Sequence, residues 1–428
     1  MVVPRLCRIS RDGGPGALSG IAAKSESPAM SGKTTDQKAL AAPSHESVSR
    51  LPPGKRDLDR SYARALWRIA SADVSPGNSV TLYSDGPQTF DAMLDLIDGA
   101  EQTVELETYI LHEDGVGERF AAAMSSAAER GVRVRMLADW IGMRGTPDRF
   151  LNRMRERGVE IRVFSPPGLR AWFGLVPRDH RKLLVVDGKA GVTGGIGIGA
   201  EWVHGLIRRK RTGWRDRCVR ISGPAAADME RAFNSMWRLA GGQGKLKAEK
   251  KLRRSPRNAD IDPLTARPSL VAVVEGEPGR FRVGRALHLQ AAAAERSIWL
   301  ASAYFLPSFA EVDALTGAAR DGVDVRLLVP SRNDHPWVHR LTRTFYKRLL
   351  ANGVRIWEWR GEMMHAKTTV VDGVWTRVGS TDFNPLGVAI NYELDVFIED
   401  PAVASEAEEL FLLDLDMSKE IKTVPRGV

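Results

Sequence analysis

Four stretches of the chain share one hydropathy pattern: "AERGVRVRML", "RERGVEIRVF", "ARDGVDVRLL" and "LANGVRIWEW". Each reads as the end of an amphipathic helix, a Gly stop and then an alternating strand. The stretches fall into two pairs, and the text around them repeats as well. "QTVELETYIL" matches "RSIWLASAYFL" upstream, and "WRDRCVRISGPAAADMERAFNSMW" matches "NYELDVFIEDPAVASEAEELFLLD" downstream. Each half is expected to run β-α-β-α-β, then a strand–turn–strand, then a further strand and helix. Strands alternating with helices predict an α/β layered sheet in each half.

Between the halves lies "GGQGKLKAEKKLRRSPRNADIDP", Gly-rich, then basic, then Pro-bearing, which reads as an exposed linker. The expected layout is a disordered tail over 1–56, a first domain over 57–240, a linker over 241–268 and a second domain over 269–428. The tail is rich in Ser, Gly, Ala and Lys and has no periodicity. The halves differ in one place. The first carries ten extra residues between Gly158 and His180, within "PPGLRAWFGLVP". Trp172 and Phe173 there suit either a membrane interface or a hydrophobic filler against the other half.

Composition narrows the class. The chain of 428 residues has 62 Lys and Arg against 53 Asp and Glu, a net charge of +9, which favours an anionic partner. No apolar run reaches the roughly 18–20 residues of a membrane span. Cys7 and Cys218 are too few for a disulfide framework and fit a reducing compartment.

The chemistry sits in "DHRKLLVVDG" and "MHAKTTVVDG", which lie 185 positions apart in register. Each carries a His, a Lys two places on and an Asp five further, and a Gly-bearing turn follows (Gly194–Gly195, Gly379–Ser380). Residues two apart share a strand face, so His180 projects with Lys182, and His365 with Lys367. Two imidazoles facing across a pseudo-twofold can divide a displacement at phosphorus, one as nucleophile and one as general acid. Two ammonium groups neutralise a phosphodiester but repel a divalent cation, so no metal or other cofactor is expected. Backbone N–H groups of the Gly turns are candidate phosphate donors. Each His needs an acceptor for its second nitrogen, and Asp216 and Glu393 open matching strands. Asp187 and Asp372 complete each motif and brace its turn. Tyr109 and Tyr304 read as packing residues, and Glu107 has Ser302 at its repeat position.

These residues resemble the phospholipase D superfamily, whose signature is H-x-K-x(4)-D-x(6)-G-[GS]. It stands here as His180/Lys182/Asp187/Gly194/Gly195 and His365/Lys367/Asp372/Gly379/Ser380. Finer stretches, among them "ETYILHEDGVGERF", "SAYFLP" and "NYELDVFIEDP", are similar to bacterial cardiolipin synthases of the branch without transmembrane helices. The resemblance implies two pseudo-twofold α-β-α sandwich domains packed face to face, with one site inside one chain. It implies a phosphohistidine on His180, His365 as acid and then base, and Asp216 and Glu393 as the orienters of the histidines. The implied activity is transfer of a phosphatidyl group onto phosphatidylglycerol, at the cytoplasmic face of the bacterial inner membrane. A hydrolytic phospholipase D, a nuclease and a catalytically silent membrane-binding protein are the alternatives. "LIRRKRTGWR" suits a nucleic acid or an anionic lipid surface equally. The family commonly has Asn three places after each first Gly, whereas this chain has Gly197 and Asp382, with Asn384 two residues on as the candidate substrate-binding Asn. An acid at 382 is expected to be protonated or turned away from the phosphate.

Overall fold

The computed structural model describes residues 65–66, 68–72, 74–166, 177–203, 213–241 and 269–423. The first half runs β1 (Val74–Tyr83), α1 (Gly86–Asp98), β2 (Thr103–Thr108), α2 (Gly115–Glu129), β3 (Arg133–Asp139), α3 (Asp148–Glu156) and β4 (Glu160–Phe164). The hairpin β5 (Leu183–Val186) and β6 (Ala190–Gly194), then β7 (Cys218–Ser222) and α4 (Pro224–Ala240), complete it. The second half repeats the plan as β8 (Ser269–Gly276), α5 (Arg282–Ala293), β9 (Ser297–Ala301), α6 (Phe309–Arg320) and β10 (Asp324–Pro330). It continues through α7 (Pro336–Thr344), α8 (Tyr346–Ala351), β11 (Arg355–Trp359), β12 (Thr368–Val371) and β13 (Trp375–Gly379). It closes with β14 (Glu393–Glu399), α9 (Pro401–Asp416) and an added edge strand, β15 (Ser418–Ile421).

The strands join in one sheet ordered β15-β11-β10-β9-β12-β13-β14-β8-β1-β7-β6-β5-β2-β3-β4. Leaving β15 aside, the order is a palindrome about the antiparallel β8–β1 pair, so the pseudo-twofold passes there. The helix-to-strand Gly stops hold: Gly131, Gly158, Gly322 and Gly353 all take left-handed backbone at φ 90–95°.

The repeat did not disclose β1–α1 or β8–α5. "VSPGNSVTLY" contains a Pro-Gly-Asn that reads as a turn. In the fold it is a bulge: the β1–β8 register shifts between Ser75 and Asn78, and Gly77 takes φ +88°. These two strands stitch the halves together.

Burial explains the layers. Phe90, Phe120 and Phe150 pack α1, α2 and α3 on one face of the first-half sheet. Val283, Val312 and Leu349 do the same for α5, α6 and α8 in the second. A third core draws on both halves, with Val185, Val219 and Phe233 against Val370, Val396 and Ala404. Each half is therefore an α-β-α sandwich whose inner face meets the other half. No helix among the described residues is long and apolar enough to cross a membrane. The composition-drawn tail and linker lie outside the described residues apart from Gly241, and Trp172, Phe173 and most of "LIRRKRTGWR" lie outside them too.

Candidate active site

Each motif histidine sits just before its hairpin strand, at the edge where β2 and β9 end. Backbone bridges carry it across the pseudo-twofold. Asp179 pairs with Tyr392, and Arg215 with Met364. His180 N donates to the Tyr392 carbonyl at 2.9 Å, and His365 N to the Arg215 carbonyl at 2.7 Å. Each histidine therefore lies beside the residue that precedes the carboxylate of the opposite half.

The side chains complete this crosswise pattern. His180 Nδ1 lies 3.1 Å from both Glu393 carboxylate oxygens. His365 Nδ1 lies 2.7 Å from Asp216 Oδ2. Neither half could assemble a histidine–carboxylate pair alone. Lys182 Nζ donates to the carbonyl of His180 at 2.6 Å, and Lys367 Nζ to that of His365 at 2.7 Å. The ammonium groups are thus pinned beside the imidazoles. Each also faces a tyrosine ring, Lys182 at 5.3 Å from Tyr109 and Lys367 at 5.5 Å from Tyr304.

The halves are not electrically equal. Burial lowers the His180 imidazole well below its usual range, and Lys182 and Lys367 lower it further. Burial pushes its partner Glu393 up to about 8, against the pull of Lys182 and Ser380. Burial also brings Lys182 down to about 8. His365 is lowered by burial and Lys367, but the charge and hydrogen bond of Asp216 resist. Three rings surround His365: Trp214 at 5.4 Å, Trp202 at 5.8 Å and Tyr304 at 6.0 Å. His180 has only Tyr109, at 4.9 Å, among the described ring contacts. The His180 side chain is 17% exposed and that of His365 5%, so the site opens on the His180 side.

Asp216 is locked in place. Its Oδ2 also accepts Trp202 Nε1 at 3.0 Å, and its Oδ1 accepts Arg217 N at 2.8 Å. Behind it, Asp414 of α9 binds Arg215 at 2.8 Å and Arg217 at 2.6 Å. Beneath His180, the buried acids Glu107 and Asp179 crowd together; burial raises Glu107 well above its usual value and Asp179 to about 6. Asp139 accepts the Asp179 N–H at 3.0 Å and so fixes the approach of the motif.

Asp187 and Asp372 stand at the far ends of β5 and β12, away from the histidines. Both take left-handed backbone, at φ 54° and 55°. Asp187 accepts N–H groups of Glu101, Gln102 and Thr103, and Asp372 those of Glu295, Arg296 and Ser297. They tie each hairpin to the start of a neighbouring strand.

The Gly turns have a use other than phosphate donation. Gly195 N is taken by the Arg217 carbonyl, Gly379 N by that of Lys367 and Ser380 N by that of Leu394. A Cβ at Gly195 would fall 2.2 Å from Asp216 Oδ1, so this glycine makes room for the orienting carboxylate. Gly194 is as tight, its Cβ position 2.3 Å from the Arg217 carbonyl. Ser380 Oγ donates to Glu393. Asn384 is committed locally, donating to the Tyr304 carbonyl and accepting from Gly387 N.

Asp382 corrects an expectation, being neither protonated nor turned away. Its carboxylate lies 3.2 Å from Lys367 Nζ and accepts Ser302 Oγ and Tyr304 N–H. Burial opposes its charge, but Lys367, His365 and that N–H hold it below the usual carboxylate range. The first-half counterpart, Gly197, has no room for a side chain, with Ile110 Cβ at 2.8 Å from its Cβ position. A second correction concerns register. Glu107 pairs with Leu183 and Ala301 with Thr368, so Ala301, not Ser302, is the counterpart of Glu107. Tyr109 and Tyr304 bring their rings to equivalent places from backbone positions one residue out of step. No motif marks Trp202 or Trp214; the one signal in the sequence is Trp214 standing two places before Asp216, on the same alternation.

Two half-sites that exchange carboxylates across a pseudo-twofold, each with a pinned His and Lys, define a phospholipase D-like architecture. A family model described as "Cardiolipin synthase, PLD-like domain" matches residues 93–237 and 288–415. The chain is 30% identical over 353 residues to cardiolipin synthase 2 of Staphylococcus epidermidis, covering 82% of this chain and 71% of that one. It is 32% identical over 364 residues to a cardiolipin synthase of Geobacillus kaustophilus, covering 83% and 69%. The fold is similar to a crystal structure of phosphatidylserine synthase from Haemophilus influenzae Rd KW20. That match has a TM-score of 0.65 at 14% identity and covers 85% of this chain and 92% of that one. The chain belongs to the phospholipase D superfamily, in its cardiolipin synthase-like branch.

Proposed function

We propose that this chain transfers a phosphatidyl group onto phosphatidylglycerol through a phosphohistidine on His180. The observation that carries the reading is the crosswise pairing of His180 with Glu393 and of His365 with Asp216. With Glu393 ionised, its carboxylate accepts the Nδ1–H of a neutral His180 and leaves the Nε2 lone pair to attack phosphorus. The P–N bond forms as the P–O bond to glycerol breaks, and His365, charged and backed by Asp216, gives its Nε2 proton to the departing oxygen. His365 then takes the proton of the incoming glycerol hydroxyl, which attacks phosphorus and releases His180. Lys182 and Lys367 neutralise the non-bridging oxygens throughout. Asp187 and Asp372 act by positioning the hairpins. The domain limits near 57–240 and 269–428 belong to the same reading.

The test supplies purified protein with phosphatidylglycerol vesicles and separates the lipid products. Cardiolipin with glycerol supports transfer, and phosphatidic acid alone makes the protein a hydrolase. No lipid turnover, with DNA cleavage that His180→Ala abolishes, would make it a nuclease.

A further inference from the structure

The large apolar side chains left exposed in the described residues are not scattered. Ile141, Phe281, Phe309, Trp337, Leu341, Leu386 and Met417 all follow strand ends at the edge that carries the histidines, or the end of α9. Leu412 and Leu413 lie in the closing turns of α9, which ends at that same edge, where Ser418 pairs with Trp359. Among the described residues the opposite edge, with Gly131, Gly158, Gly188, Gly322 and Gly373, exposes none. Exposure is high: Phe309 78%, Trp337 57%, Leu386 56% and Leu341 46%. An apolar rim confined to one edge calls for a partner there.

We propose that this edge is a membrane-docking face for an anionic bilayer, with α7 as its principal anchor. α7 is amphipathic: Val338 and Thr342 are buried, while Trp337 and Leu341, one turn apart, face outward with Arg340. Its inner face is fastened to the site. Thr342 Oγ1 donates to the Phe305 carbonyl at 2.9 Å, and Asn333 Nδ2 to that of Ala303 at 3.0 Å. A run of ring contacts leads from the catalytic edge to the anchor: His365 to Tyr304 at 6.0 Å, Tyr304 to His335 at 6.1 Å, His335 to Trp337 at 6.4 Å. Charge selects the partner. Arg144, Arg332, Arg340 and Arg360 are exposed on this edge and have no ion-pair partner among the described residues. The nearby acid Asp334 is turned to the Tyr304 hydroxyl at 2.9 Å. Apolar side chains that insert, flanked by arginines that meet phosphates, suit an anionic lipid interface. Docking in this orientation presents the open His180 side of the site to the bilayer. Only the choice of phosphatidylglycerol as the lipid rests on the functional reading above.

The test is flotation with vesicles of phosphatidylcholine, with and without phosphatidylglycerol, at low and high salt. Wild-type protein is expected to float with the anionic vesicles and to be released by salt. Trp337→Ser with Leu341→Ser should weaken that binding at least tenfold, and Arg332→Glu with Arg340→Glu should remove the preference for anionic lipid. Thermal melting checks that these variants fold. A bimane on Leu341→Cys, in a Cys7→Ser background, reports insertion independently through quenching by doxyl lipids. Wild-type vesicle binding by the serine variant, or an unquenched bimane on bound protein, overturns the proposal. A change from dimer to monomer with vesicle binding intact would assign the face to a second copy of the chain. Salt-sensitive, Trp337-dependent binding by a protein that turns over no lipid would leave this face standing and defeat the functional reading alone.

Discussion

Asp216→Asn isolates one half of the proposed chemistry. Asp216 Oδ2 accepts both His365 Nδ1 at 2.7 Å and Trp202 Nε1 at 3.0 Å, and Oδ1 accepts Arg217 N at 2.8 Å. An asparagine has one acceptor oxygen, so one side must set an NH₂ against a donor, costing about 1–3 kcal/mol of stability. Gly195 is packed against the carboxylate, so the amide cannot swing aside. The larger effect is on chemistry. Without the anion, the His365 imidazolium loses its counter-charge and gives up its proton at lower pH. The basic limb of kcat should move to lower pH, and kcat with phosphatidylglycerol should fall about 10²–10⁴-fold. That is about 3–5 kcal/mol of transition-state stabilisation. The assay compares phosphatidylglycerol with bis-p-nitrophenyl phosphate, whose leaving group departs without a proton. In the first turnover, Asp216→Asn should lose far less on nitrophenolate release from the nitrophenyl diester than on glycerol release from phosphatidylglycerol, whereas Glu393→Gln, acting on the nucleophile, should lose on both. Equal losses of Asp216→Asn on both substrates would refute leaving-group protonation by His365.

Asp382→Asn removes the counter-charge of Lys367, so inorganic phosphate should inhibit about tenfold more tightly; an unchanged inhibition constant contradicts the charge balance drawn here. Glu393 must be ionised to orient His180, and Lys182 must be protonated to hold phosphate, and both sit at about 8. Activity should therefore rise with pH as Glu393 ionises, a limb that Glu393→Gln flattens, and fall as His365 and then Lys182 lose their protons. Asp372→Asn leaves three N–H groups on one weaker acceptor. It should cost about 1–3 kcal/mol in urea unfolding, with kcat of the folded protein nearly unchanged; a collapse of kcat without loss of stability would place Asp372 in the chemistry instead.

The duplication was legible because helix stops and alternating strands recur as letters, down to the Gly at 131, 158, 322 and 353. The His, Lys and carboxylate members were legible for the same reason. What was not legible depends on the third dimension. The strands that join the halves share no letters: β1 carries a bulge and β8 is a plain apolar run. The crosswise assignment of Glu393 to His180 and Asp216 to His365 follows from backbone bridges between residues 213 and 149 positions apart. At Glu107 the letters and the register differ by one residue, because Tyr109 and Tyr304 match as letters while Glu107 and Ala301 match in the sheet. Asp382 read as a misplaced acid until its distance to Lys367 made it a counter-ion.

The most direct measurement is to quench the protein during turnover of a short-chain phosphatidylglycerol, digest it and locate the phosphatidyl adduct by mass spectrometry. The adduct is expected on His180, and it should build up further in Asp216→Asn given a short-chain phosphatidyl-p-nitrophenol, because resolving the phosphohistidine also needs His365. An adduct on His365, or brisk turnover with no adduct on either histidine, would contradict this mechanism.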